Sequence, residues 1–283
     1  MRPIEFQSGD NETVRGVLRE PSAGGKHPAI IFAHGLASAK EEFGDYPEKF
    51  SARGYVTLAF DFRGHGASDG LRGLISEPRQ VQDLRRAVDF VAALPRVDAA
   101  RIALFGHSLG GGAAICAAVQ DARVRAVVAG ATVGRLRDEL GTAEFISYRI
   151  ISALNQLQKP FTKKSIYVPY RVHYHHIFHD AAARAAAEQK GFLQRVLPAD
   201  NVPHVLAQDA FACAKNLRVP ALIIQSEHDQ IVKATSTRKV YDEIPGEKEW
   251  YLIQGSGHSF QTDCKSAEAF EKIAAWLDAK LKL

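Results

Sequence analysis

Short runs of branched apolar residues alternate with helix-patterned stretches along most of this chain. No other feature restricts the fold as much. The runs lie at 29–33 (AIIFA), 56–60 (VTLAF), 102–105 (IALF) and 124–128 (VRAVV), each bounded by Gly, Pro or charge. Unbroken apolar runs of this length suit strands covered on both faces. Between them, 41–53, 77–94 and 109–119 read as helices. In the second of these Val81, Leu84, Val88 and Val91 recur at helical spacing, while Arg85, Arg86 and Asp89 fall on other faces. Strand and helix in this rhythm make βαβ units, hence a parallel sheet with helices on both sides. Residues 4–7 and 13–19 alternate around Ser8-Gly9-Asp10-Asn11 and read as an antiparallel hairpin ahead of that sheet.

The rhythm holds over 1–132, lapses over 133–215 and resumes over 216–283. Within the lapse, 137–159 reads as a helix ended by Pro160. Residues 166–178 read as extended, because Val168, Tyr170, Val172 and Tyr174 alternate with Pro169, Arg171 and His173. Residues 180–196 read as a helix with Asp180 as N-cap and Pro198 as the stop. In the last part 221–225 and 249–253 read as strands, 235–244 and 266–281 as helices. The expected organisation is one α/β domain in two pieces, 1–132 and 216–283, with 133–215 inserted between them.

Composition narrows the class further. With 46% hydrophobic and 24% charged residues in 283, the chain is a globular protein rather than a disordered or collagen-like one. Lys+Arg is 36 against Asp+Glu 32, a formal charge of +4, and no block of like charge stands out, so nucleic acid is not an expected partner. No uncharged apolar run nears the roughly 20 residues of a membrane span. The opening MRPIEFQSGDNETVRG lacks the apolar core of a signal peptide. Cys116, Cys213 and Cys264 are far apart with no C-x-x-C, a set expected to stay as reduced thiols. A cytoplasmic protein is the expectation, its oligomeric state open, a homodimer included.

Chemistry first appears where the run 102–105 meets Gly106-His107-Ser108-Leu109-Gly110, followed by Gly111, Gly112 and an Ala-rich helix. A serine on so sharp a strand-to-helix turn has its hydroxyl exposed, and side chains two residues to either side would collide with the neighbouring strand and helix. The helix start also points free N–H groups at the site, Leu109 N–H among them. Serine is a poor nucleophile unaided, so a general base must be near. Strand 221–225 leads into Ser226-Glu227-His228-Asp229, and strand 249–253 into Gln254-Gly255-Ser256-Gly257-His258. Ser108, Asp229 and His258 thus all follow the carboxyl ends of strands, the edge where open α/β sheets build sites. His258 is the expected base and Asp229 the carboxylate that orients it. Glu227 is the competing acid, disfavoured by lying nearer its strand.

Run 29–33 leads into His34-Gly35-Leu36-Ala37-Ser38; a strand running into His-Gly resembles the oxyanion loop after the third strand of α/β hydrolases, which implies Leu36 N–H as the second donor beside Leu109. Asp61, Arg63 and His65, in the Gly-rich stretch 61–70, read as a polar scaffold.

These residues and their order resemble the α/β-hydrolase superfamily: His34-Gly35, Asp61 to Gly66, Gly106 to Gly110, Asp229 and His258 all fall in family order. Among its branches the chain looks most like single-domain serine esterases and monoacylglycerol-lipase-like, serine aminopeptidase-like or dienelactone-hydrolase-like proteins. The resemblance implies an eight-stranded, mostly parallel sheet flanked by helices, no cofactor, and a substrate-selecting cap over 133–215. Ser108 stands where dienelactone hydrolases carry cysteine and where epoxide hydrolases carry aspartate, which argues against both. The implied activity is carboxylic ester hydrolysis through an acyl-enzyme, on a small-molecule ester with an acyl or aromatic group. The alternatives are amide or peptide hydrolysis by the same residues and a non-catalytic binding protein on the same fold.

The inserted segment contains Phe145, Tyr148, Phe161, Tyr167, Tyr170, Tyr174 and Phe178, an apolar-aromatic set that suits an acyl chain or an aromatic group or simply packs the segment onto the sheet. His173, His175, His176 and His179 are spaced as zinc ligands can be, but no cysteine joins them and a solvated or substrate-lining face is the expected reading, with no metal.

Overall fold

The apolar runs and the hairpin assemble into a single eight-stranded sheet in the computed structural model, which describes residues 1–281. The first part holds β1 (Arg2–Gln7), β2 (Thr13–Arg19), β3 (His27–Ala33), α1 (Tyr46–Ala52), β4 (Val56–Asp61), α2 (Glu77–Ala92), β5 (Val97–His107), α3 (Leu109–Gln120) and β6 (Val124–Gly130). The middle holds α4 (Leu136–Glu139), α5 (Thr142–Thr162), β7 (Tyr167–Pro169), α6 (Tyr174–Ile177), α7 (Ala181–Lys190), β8 (Val196–Pro198), α8 (Asn201–Ala207) and α9 (Ala210–Ala214). The last part holds β9 (Ala221–Ser226), α10 (Ala234–Glu243), β10 (Lys248–Ile253) and α11 (Ser266–Leu281).

The sheet order is β1-β2-β4-β3-β5-β6-β9-β10. From β4 to β10 neighbours are parallel, while β2 runs antiparallel to both β1 and β4. Side chains alternate between faces along each strand, which explains the unbroken apolar runs. Ile31, Leu58, Leu104, Val127 and Ile223 join the core beneath α2 and α3; Ile30, Phe32, Phe105, Val128 and Leu222 join the opposite core, beneath α1 and α11. Each such side chain contributes about 1.5–3 kcal/mol by leaving water.

The middle part departs from the sequence expectation in detail. Helix α5 continues through Pro160 to Thr162, where Lys163 turns left-handed at φ +56°. So close to the helix end, the proline forfeits only one late ladder bond. The expected helix over 180–196 begins as predicted, with Asp180 accepting from Ala183 N at 2.8 Å, but stops at Lys190, where Gly191 adopts φ +62°. Of the stretch read as extended, β7 pairs antiparallel with β8, and Tyr174–Ile177 coils into α6. Near α1, residues 40–43 form a separate 3-10 turn instead of a first helical turn. Helix α5 also leaves much of its apolar surface outside: Ser152 and Asn155 are buried and Phe145, Tyr148 and Ile151 half-buried, while Ile146, Ile150, Leu154, Leu157 and Phe161 are exposed.

The cysteine expectation is corrected. Cys116 on α3 and Cys213 on α9 form a disulfide with Cα atoms 5.0 Å apart, and Cys264 is the free, exposed thiol. The two partners are 97 residues apart in sequence, and only the side-by-side packing of α3 and α9 brings them together.

Candidate active site

Ser108 caps the N-terminus of α3 at φ +56° and ψ −122°, a conformation that costs a non-glycine residue energy and is held by its surroundings. Its N–H donates to Gly130 O at 2.7 Å, and its C=O accepts from Gly111 N at 3.0 Å. The flanking glycines are steric necessities. A Cβ on Gly106 would lie 2.2 Å from Gly110 O, and one on Gly110 would lie 2.2 Å from Ala33 O and 2.4 Å from His34 O. The collision expected from the sequence is therefore with backbone, which cannot rotate away.

Asp229 and His258 meet at the carboxyl edge of β9 and β10. His258 Nδ1 donates to Asp229 Oδ2 at 2.8 Å. Asp229 Oδ1 accepts the N–H groups of Ile231 and Val232 at 2.8 and 2.9 Å. Burial works to raise the Asp229 carboxyl, but the His258 ring and those N–H groups outweigh it and hold it below the usual carboxylate range. An ionised carboxylate only accepts, so Nδ1 carries the ring proton and Nε2 is the nitrogen able to take another. Glu227 instead accepts from Gly255 N at 2.9 Å and, among the described residues, makes no hydrogen bond or ion pair with His258. His228 is on the surface, its ring stacked on His179 at 4.2 Å.

Ser108 and His258 line one cavity of about 80 Å³ together with Leu36 and Leu109. No hydrogen bond joins Ser108 Oγ to the ring among the described residues, so this shared cavity is what relates them. Leu36 N–H takes no acceptor among the described residues, and Leu109, first residue of α3, has an N–H outside the helical ladder.

His34 is a loop-organising residue: its Nε2 accepts from Phe62 N at 3.0 Å. Asp61 takes Lys40 N, Lys40 Nζ and Ala67 N at 2.8, 2.8 and 2.9 Å, and Arg63 Nε lies 2.6 Å from Asp83. Burial pushes the His65 imidazole down to about 3, so it stays neutral. The polar scaffold read from 61–70 is what the structure contains.

Three further residues bond to the loops around Ser108 and His258 and were not singled out from the sequence. Glu42 is buried, accepting from Gly35 N through Oε2 and from His107 Nδ1 through Oε1, both at 2.7 Å. His107 Nε2 then donates to His258 O at 2.9 Å. Burial opposes charge on both, yet their mutual attraction outweighs it, lowering the Glu42 carboxyl and raising the His107 imidazole. Nothing in the sequence separates Glu42 from its exposed neighbour Glu41. Asp263 is the third: its carboxylate accepts from His179 N, Asp180 N, Gly257 N and Cys264 N, at 2.9, 3.0, 2.7 and 2.9 Å. It fastens the end of α6 and the start of α7 to the loop that bears His258.

The cavity is roofed by the middle segment, with Leu136, Tyr170, Ile177, Phe178, Phe192 and Leu193 in its lining. Tyr170, Leu136, Glu139 and Ile177 also line an adjoining space of about 500 Å³, reached by Tyr148 and His173. Of the seven aromatic residues noted in the sequence, Phe161 is 87% exposed and points away. His173, His175 and His176 cluster with ring centroids 4.1–5.6 Å apart. Their donor atoms do not converge on one point: among the described residues the group that gathers metal-type donors is Glu77, Cys116 and Cys213, whose sulfurs are already bonded to each other.

A mostly parallel eight-stranded sheet flanked by helices, with a serine on the turn from a central strand into a helix, defines an α/β hydrolase. Within that class the chain belongs to the serine aminopeptidase S33 family, whose model matches residues 25–265. It is similar to polyketide transferase ATR5 of Stachybotrys chlorohalonatus, 28% identical over 280 residues that cover 95% of this chain and 93% of that protein. The crystal structure of the alpha/beta hydrolase GrgF from Penicillium sp. superposes with a TM-score of 0.87, covering 100% of this chain and 99% of that chain at 22% identity. That of the Paleococcus ferrophilus monoacylglycerol lipase gives 0.75, covering 94% and 99% at 20% identity. At these identities the structural likeness speaks for the fold alone. No helix among the described residues is long and apolar enough to cross a membrane.

Proposed function

We propose that this protein is a serine hydrolase that cleaves carboxylic esters through an acyl-enzyme. Ser108 Oγ attacks the carbonyl carbon while His258 Nε2 takes its proton. The alcohol leaves with that proton, forming the acyl-serine. Water then attacks by the same route and the acid departs. Asp229 orients His258 and stabilises its imidazolium; the Leu36 and Leu109 N–H groups hold the oxyanion, each contributing about 3 kcal/mol to the transition state. Residues 133–215 act as the cap, and the adjoining apolar space takes an acyl chain or aromatic group. The observation that carries the reading is the 2.8 Å His258–Asp229 bond in a pocket shared with a serine held at φ +56°.

The test is Ser108→Ala on p-nitrophenyl esters, with fluorophosphonate labelling of the wild type. The expected result is a mass shift on Ser108 and a loss in kcat of at least about 10³-fold, since such residues act as a unit. Wild-type turnover by the variant would overturn the assignment. Rates on an ester and its matching amide separate ester from amide or peptide hydrolysis, and the absence of any labelling would favour a binding protein. A second reading, acyl transfer, is favoured by the similarity to a polyketide transferase over 95% of the chain; added alcohol would then divert product from acid to ester. A cytoplasmic location loses the support of reduced thiols once Cys116 and Cys213 are paired.

A further inference from the structure

Glu42 touches both loops that flank Ser108 without entering the proposed chemistry. It sits on the 3-10 turn Lys40–Phe43, which Lys40 anchors to Asp61 through both its N–H and its Nζ. From there its two oxygens diverge. Oε2 fixes Gly35 N–H, one residue before the Leu36 N–H that is proposed to hold the oxyanion. Oε1 fixes the ring of His107, one residue before the nucleophile, and the far nitrogen of that ring grips the backbone carbonyl of His258 itself. Three hydrogen bonds of 2.7, 2.7 and 2.9 Å thereby connect the oxyanion loop, the elbow and the base.

The tolerance of this arrangement is small. A Cβ built on Gly35 would lie 3.1 Å from Ser108 Cβ, so the loop already rests against the serine. Any slip of the loop moves the Leu36 N–H relative to the reacting carbonyl. A displacement near 1 Å at such a centre can cost about 10²-fold in rate. A buried carboxylate–imidazole pair is also an expensive way to fill space, and apolar side chains of similar volume often pack as well or better. What apolar side chains lack is direction: they cannot hold a peptide N–H and a carbonyl oxygen at fixed positions.

We propose that Glu42, acting through His107, is a positioning residue that holds the Leu36 N–H and the His258 ring in register with Ser108. This assignment rests on the proposed serine mechanism and adds a support that Asp229 does not supply. Its requirement is reach rather than charge. In Glu42→Gln the amide oxygen accepts from Gly35 N, the amide NH₂ donates to His107 Nδ1, and a neutral His107 keeps its Nε2 proton for His258 O. All three bonds survive. In Glu42→Asp the charge survives, but the oxygens withdraw by about 1.5 Å, one carbon–carbon bond.

The experiment compares kcat, KM and the fluorophosphonate labelling rate of Ser108 for wild type, E42Q and E42D, with a melting curve for each. Expected are kcat within about threefold of wild type for E42Q, and a fall of about 10- to 100-fold for E42D. KM stays within about threefold, and labelling rates follow kcat. Should E42D fail to fold, His107→Gln, whose amide nitrogen can take the place of Nε2 but leaves nothing at that of Nδ1 to bond Glu42, takes its place with the same loss expected. Wild-type kcat in E42D or H107Q, or an E42Q defect as large as that of E42D, overturns the proposal. Absence of labelling at Ser108 in the wild type overturns the serine mechanism and this assignment together, whereas normal wild-type labelling with an undiminished E42D rate overturns this assignment alone.

Discussion

Asp229→Asn separates orientation of the base from its mere presence. Asp229 Oδ1 serves two backbone N–H groups and Oδ2 serves His258 Nδ1, with Gln225 Nε2 also near Oδ2 at 3.3 Å. An asparagine keeps the two backbone bonds only with its oxygen in the Oδ1 place. Its NH₂ then confronts His258 Nδ1, which must become an acceptor, and the ring proton moves to Nε2. That nitrogen can no longer take the proton of Ser108. Flipping the amide would face NH₂ with two N–H donors and lose both bonds. The expected loss in kcat is about 10⁴-fold, the size produced by a wrong imidazole tautomer in serine triads, equivalent to about 5 kcal/mol of transition-state stabilisation. Stability changes little, because the backbone bonds remain. The assay is p-nitrophenyl ester turnover with a melting curve. A folded variant retaining more than roughly a tenth of wild-type kcat would refute this account of Asp229. Glu227→Gln, in the competing acid, is expected to stay within about threefold of wild type, because Glu227 bonds to Gly255 N and not to the ring.

Three other outcomes are expected. Gly110→Ala forces a Cβ to within 2.2 Å of Ala33 O, so overpacking costs about 1–3 kcal/mol and activity falls with it; a melting temperature equal to that of the wild type would contradict the steric account. Asp263→Asn removes a carboxylate serving four backbone N–H groups, and about 2 kcal/mol of stability should go in a urea titration at pH 7. Burial opposes ionisation of Asp263, but those N–H groups lower it overall; its contribution is therefore complete above the unfolded value of about 3.9 and lost as pH falls through the lower folded value, so wild type and variant should converge only in that acid range. Finally, unfolded but unreduced protein should titrate one thiol, Cys264, and three after reduction; three before reduction would rule out the disulfide.

The βαβ rhythm and the elbow were legible because both are local. An unbroken apolar run records a strand wet on neither face, and Gly106-His107-Ser108-Leu109-Gly110 records steric limits that act within a few residues. Asp229 and His258 were reachable by one further step, since residues just beyond parallel strands share an edge. The middle segment was read less well. Its short elements take their form from packing: α5 turns apolar residues outward and buries Asn155, whose side chain bonds to Ile166 N and Asp200.

The sequence by itself determined the sheet, the sharp turn at Ser108 and the placing of Ser108, Asp229 and His258 beyond strand ends, because each is written in neighbouring residues or in strand ends. Only the tertiary structure decided that Glu42 and His107 tie together the loops on either side of Ser108, that Asp263 fastens the middle segment to the loop of His258, and that Cys116 meets Cys213. Those contacts join residues that are distant along the chain, and their energies depend on burial and on hydrogen-bond direction, neither of which exists until the sheet has brought its edges together.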